Sequence, residues 1–415
     1  MSQTRVVITG MGVVSPFGIG SERFWSALST AESAQRSIQG FDATRYRSAA
    51  GGEVPIEVYQ DSARREHCDN PAEDATYFAT VAADEALTQA GLAASFEDER
   101  RVGAVLGTLC AGMRTLQPLC AACETGSETD LQTESGLASY QLHFLAERYN
   151  LTGPLSLVST ACSSTTDAIG YAFDLIRSGQ CDICLAGGGD VLAEPVHAAF
   201  NGLQSITTTE PKPFDQSRDG FFIGEGAAIL VLETLESAQQ RQAPILAEVL
   251  GYGLSNTAFH LTATSQDGSA EGMAVQRALE CAGISADQVD FVNCHGTGTR
   301  HNDASEIRAM NLVFGATAER VYVTSNKAAF GHCMGAAGAL EAVSTVLSIQ
   351  HQTVPPTINT GGDETELRSR LVMGAAQQVP IRIALSQSFG FGGACSCVVL
   401  ARYEAASKQG VQQNA

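Results

Sequence analysis

The 415-residue sequence predicts an α/β protein in which one design is used twice. Three observations carry this. Short β-branched runs alternate with stretches of helical periodicity, the pattern of α/β folds. Two series of such runs follow one another, each opening on an apolar strand with Gly-x-Gly, at Gly10-Met11-Gly12 and Gly251-Tyr252-Gly253. In each series the third strand breaks into a helix of small residues, "LSLVSTACSSTTDAIGYAF" and "VYVTSNKAAFGHCMGAAGALEAV". The chain also exceeds the length at which a single core keeps growing. Two halves are therefore expected, residues 1–240 and 241–405, joined near the polar "ESAQQRQAP" and followed by a polar tail, 406–415.

The first series of strands reads "RVVITGMGVVS", "RVGAVLGT", "LSLVST", "DICLAGGGDV" and "AAILVLETL". The second reads "ILAEVLGYGLS", "QVDFVNCHGTGT", "RVYVTSN", "RIALSQS" and "SCVVLARYE". The second strand of each series runs into a glycine turn, Gly107-Thr108 and Gly296-Thr297-Gly298. Residues from about 33 to 75 and "CAACETGSETDLQTESG" lack steady periodicity and read as insertions over the strand ends, where specificity usually resides. "HQTVPPTINT" is a proline-stiffened loop after the second small-residue helix.

A formal charge of −20 argues against general nucleic-acid binding, which needs clustered Lys and Arg, and against anionic membrane surfaces. An acidic partner must dock on a local basic patch such as Arg64-Arg65. Twelve cysteines in a chain this long do not make a disulfide scaffold. The start of the sequence lacks the pattern of a signal peptide, and no apolar run reaches the roughly 18 residues of a membrane helix. A cytoplasmic protein is expected.

Cys162 stands where an apolar strand gives way to hydroxyls and then to a helix. Ala168, Ile169, Ala172, Phe173, Leu175 and Ile176 keep helical spacing, and Gly179 is placed to end the helix. The free N–H groups and positive dipole at a helix N-terminus favour a thiolate, lowering its pKa from ~8.5. The same N–H groups can hold an oxyanion on an acyl group attached to the sulfur. A buried structural thiol is the competing reading.

Company decides between them. "VNCHGTGTRHNDASE" sets His295 at a strand end, and "SNKAAFGHCMGAAGAL" sets His332 five residues after Lys327. If the halves pair, Cys162 and His332 occupy equivalent positions around one cleft, with His295 from a neighbouring strand. Zinc is rejected. "CDIC" (Cys181, Cys184) lies in a strand-like run whose i and i+3 side chains point to opposite faces, and "CAAC" (Cys120, Cys123) has no second ligand pair nearby.

These motifs resemble the β-ketoacyl-acyl-carrier-protein synthases of the thiolase-like fold: "TACSS", "HGTGT" with Asp303 and Glu306 downstream, "SNKAAFGHCMGAAG" and "SFGFGG", together with "PFDQSRDGFFIGEGAA". The likeness runs from "VVITGMGVVSP" to "CVVLARYE". It implies two βαβαβαββ halves in α-β-α-β-α layers. It also implies a decarboxylative Claisen condensation: Cys162 carries an acyl chain as a thioester, and malonyl-carrier protein loses carbon dioxide and attacks it. His295 and His332 would donate hydrogen bonds to the enolate oxygen, and Lys327 would organise the site through a carboxylate network that includes Glu306. The N–H groups of Cys162 and Phe391 would form the oxyanion hole. Phe391, beside Phe389 in a glycine-flanked loop, matches a gate, Thr297 and Thr299 match positions that hold the phosphopantetheine arm, and Cys110 matches a position that sets acyl-pocket depth.

By the same resemblance Arg64 and Arg65 would meet the acyl carrier protein, residues near 133 to 142 would form a dimer interface, and no metal or organic cofactor is needed beyond the carrier's phosphopantetheine. "HGTGTRHND", "SQSFGFGGACS" and "GTLCAG" depart from the commoner "HGTSTPLND", "NSFGFGGTNA" and "GSGIGG" without touching Cys162, His295 or His332. They turn the expectation toward a specialised type II polyketide or polyene pathway, with a chain-length-factor homologue as dimer partner. A homodimeric housekeeping fatty-acid synthase is the alternative. An inert chain-length-factor-type partner would lack the nucleophile, and a thiolase would place a second cysteine differently from Cys395 and Cys397.

Overall fold

The computed structural model describes residues 4–404 except 70, 94, 97–100, 127–132, 363 and 365; the expected polar tail at 406–415 lies outside the described residues. The first half runs β1 (Val6–Ser15), α1 (Asp74–Ala90), β2 (Val102–Gly107), α2 (Tyr140–Tyr149), β3 (Leu155–Val158), α3 (Ser164–Arg177), β4 (Ile183–Asp190) and β5 (Gly226–Thr234). The second runs β6 (Ala247–Asn256), α4 (Ser269–Ala282), β7 (Phe291–Asn293), α5 (Arg300–Phe314), β8 (Tyr322–Thr324), α6 (Ala337–His351), β9 (Ile383–Phe389) and β10 (Ala394–Ala401). Leaving aside inserted helices such as Ser21–Ser29, Met113–Thr125 and Glu194–Gly202, each half is βαβαβαββ, and every one of the ten strands overlaps a run expected from the sequence, β5, β6, β9 and β10 extending one or two residues beyond it.

Strand order repeats as well as element order. It is β3-β2-β4-β5-β1 in one half and β8-β7-β9-β10-β6 in the other, with the short strand Arg370–Leu371 added beyond β8. In each half only the last strand runs antiparallel to its neighbours. The halves meet where β1 and β6 pair antiparallel, Val6 opposite Val249 and Ile8 opposite Ala247. Helices α3 and α6 lie between the two half-sheets, sharing one apolar core with strands of both. Helix α1 covers the outside of the first half-sheet and α4 and α5 the outside of the second, giving five layers.

The paired Gly-x-Gly motifs have a packing cause. A Cβ on Gly10 or Gly12 would come within 2.0 or 1.9 Å of the Ala86 or Ala82 carbonyl oxygen of α1. On Gly251 or Gly253 it would meet the backbone of α4 at 2.6 or 2.2 Å. Both strands carry a bulge at the matching place, between Ile8 and Gly10 and between Val249 and Gly251. Glycine lets an outer helix rest directly on the opening strand of its half.

The middle layer positions the site. A short turn precedes each central helix, Ala161–Ser163 before α3 and Met334–Ala336 before α6, and each opens on a non-glycine residue in the left-handed region, Ala161 (φ 56°) and Met334 (φ 50°). The two helix starts cross closely: Thr165 Oγ1 donates to the Gly335 carbonyl at 2.6 Å and accepts from the Ala339 N–H at 2.9 Å. The position matched to Cys162 is therefore Gly335. His332 precedes it by three residues, which corrects the expected equivalence of Cys162 and His332. The cause is the extra turn Lys327–Phe330, which this half inserts before Gly331.

Candidate active site

Cys162 sits, buried, in the turn between β3 and α3. The turn is held by hydroxyls: Ser164 Oγ donates to the Ala161 carbonyl at 2.6 Å and accepts from the Thr160 N–H at 2.9 Å. Gly390 lies so close that a Cβ there would be 3.2 Å from the Cys162 nitrogen. This brings the Phe391 N–H to donate toward the Cys162 sulfur. Burial pushes the thiol up to about 11, although the Lys327 charge and the Phe391 N–H both pull it down. The lowered pKa expected at a helix start is thus overturned by loss of solvent around the sulfur.

His295 follows β7, in a turn whose glycines take positive φ, 41° at Gly296 and 74° at Gly298. Two carboxylates on α5 clamp this turn. Glu306 accepts the His295 and Gly296 N–H groups, both at 2.7 Å, and Asp303 accepts those of Gly298 at 3.1 Å and Phe214 at 2.8 Å. Burial pushes Glu306 up to about 8 and raises Asp303.

Lys327 Nζ donates to the His295 carbonyl at 2.7 Å, lies 3.2 Å from His295 Nδ1 and pairs with Glu341. An ammonium has no lone pair, so Nδ1 is the acceptor and Nε2 carries the proton. The carboxylate in direct contact with Lys327 is Glu341, while Glu306 joins the same network through the His295 N–H it accepts and through the Lys327 charge. His332 is fixed through its backbone, donating to the Phe222 carbonyl at 2.9 Å and accepting from the Gly224 N–H at 3.0 Å. Its ring stands across that of His295, centroids 5.4 Å apart at 84°. Burial first, then the Lys327 charge, hold both imidazoles well below 6.5, so both are neutral.

Cys162, His295 and His332 line one cavity of about 90 Å³ with Thr297, Thr299, Phe389 and Phe391. The hydroxyls of Thr297 and Thr299 are 2.9 Å apart, and Phe389 packs edge-on to His295. Phe391 leans on Phe200, with ring centroids 5.4 Å apart. Behind them is an apolar cluster that contains Cys110, Phe221, Ile223 and Met334. Cys110 is not on the cavity wall; its thiol donates to the Val191 carbonyl at 3.4 Å. About 90 Å³ is below the several hundred typical of ligand pockets.

Other expected residues lie apart from this cavity. Arg64 is 44% exposed, pairing with Asp61 at 3.2 Å. Arg65 is 21% exposed and committed inward, to Asp74 at 2.7 Å, the Tyr59 carbonyl at 3.0 Å and the Tyr77 ring. Of the expected patch, Arg64 alone is turned outward. In the expected interface region Leu137 is 57% exposed, while Gln141 is buried against Gly189. Cys181 precedes β4 instead of lying in it, so its thiol reaches Cys184 and the two do not point to opposite faces.

Three features were missed by sequence reasoning. Glu341 is a lone acid in the apolar run "AAGALEAV", itself a signal of a buried, partnered charge. Asp190, at the end of β4, accepts from Thr108, from the Cys110 N–H at 2.9 Å and from the Gly335 N–H at 2.7 Å, tying the halves together beside Cys162. Thr262, Ala263 and Thr264 line the cavity from a loop without any sequence pattern.

A cysteine and two neutral imidazoles at the seam of a duplicated α/β fold define the class: a thiolase-like condensing enzyme. Comparison gives the family. Residues 3–238 match the N-terminal domain of beta-ketoacyl synthases and residues 246–361 the C-terminal domain. The chain is 37% identical to 3-oxoacyl-[acyl-carrier-protein] synthase 2 of Rhizobium meliloti (strain 1021), covering 96% of this chain and 99% of that one. It is 36% identical to the tetracenomycin polyketide synthase ketoacyl synthase alpha subunit of Streptomyces glaucescens, covering 97% and 98%. Among solved structures it superposes on the ishigamide ketosynthase/chain length factor with a TM-score of 0.90 at 33% identity, covering 97% and 100%. A type II polyketide acyl-carrier protein in complex with its ketosynthase bound to the hexaketide gives 0.88, also at 33% identity over 97% and 100%. The chain belongs to the beta-ketoacyl synthase family, and its reaction is the carbon–carbon condensation of that family, an acyltransferase chemistry. Among the described residues no helix is long and apolar enough to cross a membrane.

Proposed function

We propose that the chain is the catalytic ketosynthase subunit of a type II polyketide or polyene system, in the cytoplasm, taking its substrates from an acyl carrier protein. The observation that carries the reading is the shared cavity of Cys162, His295 and His332 with Lys327 behind it. The polyketide relatives support the pathway, and the ketosynthase/chain length factor and carrier-complex structures support the partners. The departures in "HGTGTRHND" and "GTLCAG" point the same way. The division into halves at 240/241 is supported by the gap between the two family matches and by the start of β6 at Ala247.

The reaction has two stages. Cys162 sulfur attacks the acyl thioester on the carrier; the carbon–sulfur bond to pantetheine breaks and the thiol proton leaves with the pantetheine sulfur. The N–H groups of Cys162 and Phe391 hold the oxyanion of the tetrahedral intermediate. Malonyl thioester then binds along Thr297 and Thr299. Its carboxyl–carbon bond breaks, carbon dioxide departs, and the electron pair becomes an enolate. Neutral His295 and His332 donate Nε2–H to the enolate oxygen, with Lys327 fixing the His295 tautomer. The carbon attacks the Cys162 thioester and the sulfur leaves, giving a 3-ketoacyl chain on the carrier. No other cofactor enters this scheme.

Intact-protein mass spectrometry with a panel of acyl-carrier proteins tests it. Wild type gains one acyl mass, and Cys162→Ala gains none; acylation of the alanine variant would place the nucleophile elsewhere. Native mass spectrometry of the chain alone and with a chain-length-factor homologue separates homodimer from heterodimer. A stable homodimer that condenses unaided would favour the fatty-acid alternative.

A further inference from the structure

Outside the cavity, one carboxylate gathers more donors around the nucleophile turn than helix capping requires. Asp167, in the first turn of α3, accepts from Thr160 Oγ1 at 2.5 Å, while Ser163 Oγ, which donates to the Thr160 carbonyl at 2.8 Å, lies 3.5 Å away. These two residues flank Ala161-Cys162. Its other oxygen accepts from Tyr252 OH on β6 at 2.7 Å and from Ser396 on β10. All three donors are hydroxyls, one from the strained turn and two from the opposite half of the molecule. The Tyr252 ring lies flat against α3, where a Cβ on Gly170 would be 2.3 Å from it. Ser396 follows the Gly390–Gly393 loop that carries Phe391.

We propose that Asp167 is a positioning residue for acyl loading: its carboxylate fixes the Cys162 turn against the strand that carries the Phe391 loop, aligning sulfur and oxyanion donors. The proposal rests on Cys162 as the acylated residue. Ala161 is an alanine held at φ 56°, a conformation that strains an L-residue by ~1–2 kcal/mol and persists only where its surroundings enforce it. Asp167 adds to the Ser164 bonds that hold the turn by fixing Thr160, the residue before Ala161, to the opposite half. Without it the turn can relax while the Phe391 loop stays with β10. A displacement of about 1 Å between reacting groups can reduce rate on the order of a hundredfold. The decarboxylating pair is held separately, His295 by Glu306 and Lys327 and His332 by the Phe222 and Gly224 backbone. Asp167 reaches neither. Its loss therefore strikes one half-reaction, whereas a general structural defect would strike both.

The test uses Asp167→Asn, which keeps the shape but replaces one accepting oxygen by a donor. Single-turnover loading of Cys162 is followed by intact mass with S-octanoyl-N-acetylcysteamine as probe, and carbon dioxide release from malonyl-N-acetylcysteamine is measured on the same protein. Loading about 10- to 100-fold slower with decarboxylation within about twofold of wild type is expected. Tyr252→Phe and Ser396→Ala, each removing one donor from outside the turn, should show the same split to a smaller degree. They keep the proposal testable if Asp167→Asn does not fold. Loading at the wild-type rate in these variants overturns the proposal, as does an equal fall in both half-reactions. A wild-type protein that acquires the octanoyl group at a residue other than Cys162 would instead overturn the nucleophile assignment.

Discussion

In the proposed mechanism, replacing His332 by alanine takes one of two donors from the enolate, and it is expected to slow malonyl decarboxylation about 100- to 1,000-fold, a loss of ~2.7–4 kcal/mol of transition-state stabilisation. The geometry also fixes the pH dependence. Burial and the Lys327 charge hold both imidazoles well below 6.5, so from pH 6.5 upward each is already neutral and has one ring N–H to donate. A charged imidazolium of ordinary pKa ~6.5 acting as the acid would lose about 50-fold in rate between pH 6.5 and 8.5. Neutral donors predict a change within about threefold. Two buried carboxylates gain charge in this window, Glu341 pushed up to about 7 and Glu306 to about 8. Glu341 meets Lys327 and Glu306 meets backbone N–H groups, so neither adds or removes a donor at the enolate. The assay is carbon dioxide release from malonyl-carrier protein in a Cys162→Ala background, which separates this step from loading. His332→Gln, which keeps an N–H, should recover part of the loss. A tenfold fall per pH unit above 6.5 would refute neutral-donor catalysis, and a His332→Ala rate within threefold of its parent would remove His332 from the step.

Other outcomes follow from the same geometry. Gly12→Ala and Gly253→Ala should each lower stability by ~1–3 kcal/mol, because a backbone atom of the outer helix blocks the new methyl group; unchanged thermal midpoints would contradict the close approach. Iodoacetamide labelling of Cys162 should rise about tenfold per pH unit from 7 to 10, since the neutral thiol prevails below about 11; a plateau before pH 8 would show the burial effect to be overcome. Arg64→Glu should weaken carrier-protein binding and leave the thermal midpoint unchanged, whereas Arg65→Glu should lower that midpoint by breaking its contacts with Asp74 and the Tyr59 carbonyl. The reverse pattern, read by calorimetry and thermal melts, would exchange their roles.

The sequence by itself determined the repeated strand–helix order, because hydrophobic periodicity and glycine turns are local properties. It also marked Cys162, His295 and His332, since reactive side chains at strand ends stand out against apolar runs. What it left open depends on which elements pack against one another and on how deeply each side chain is buried. "AAGALEAV" does not reveal that Glu341 meets Lys327, and "RR" does not reveal that Arg65 turns inward to Asp74 while Arg64 faces solvent. The raised Cys162 thiol is likewise set by how much of the molecule closes over it. Only the tertiary structure decided these, because burial and pairing are produced when separate elements pack together, within a half or across the seam, and no single segment carries them.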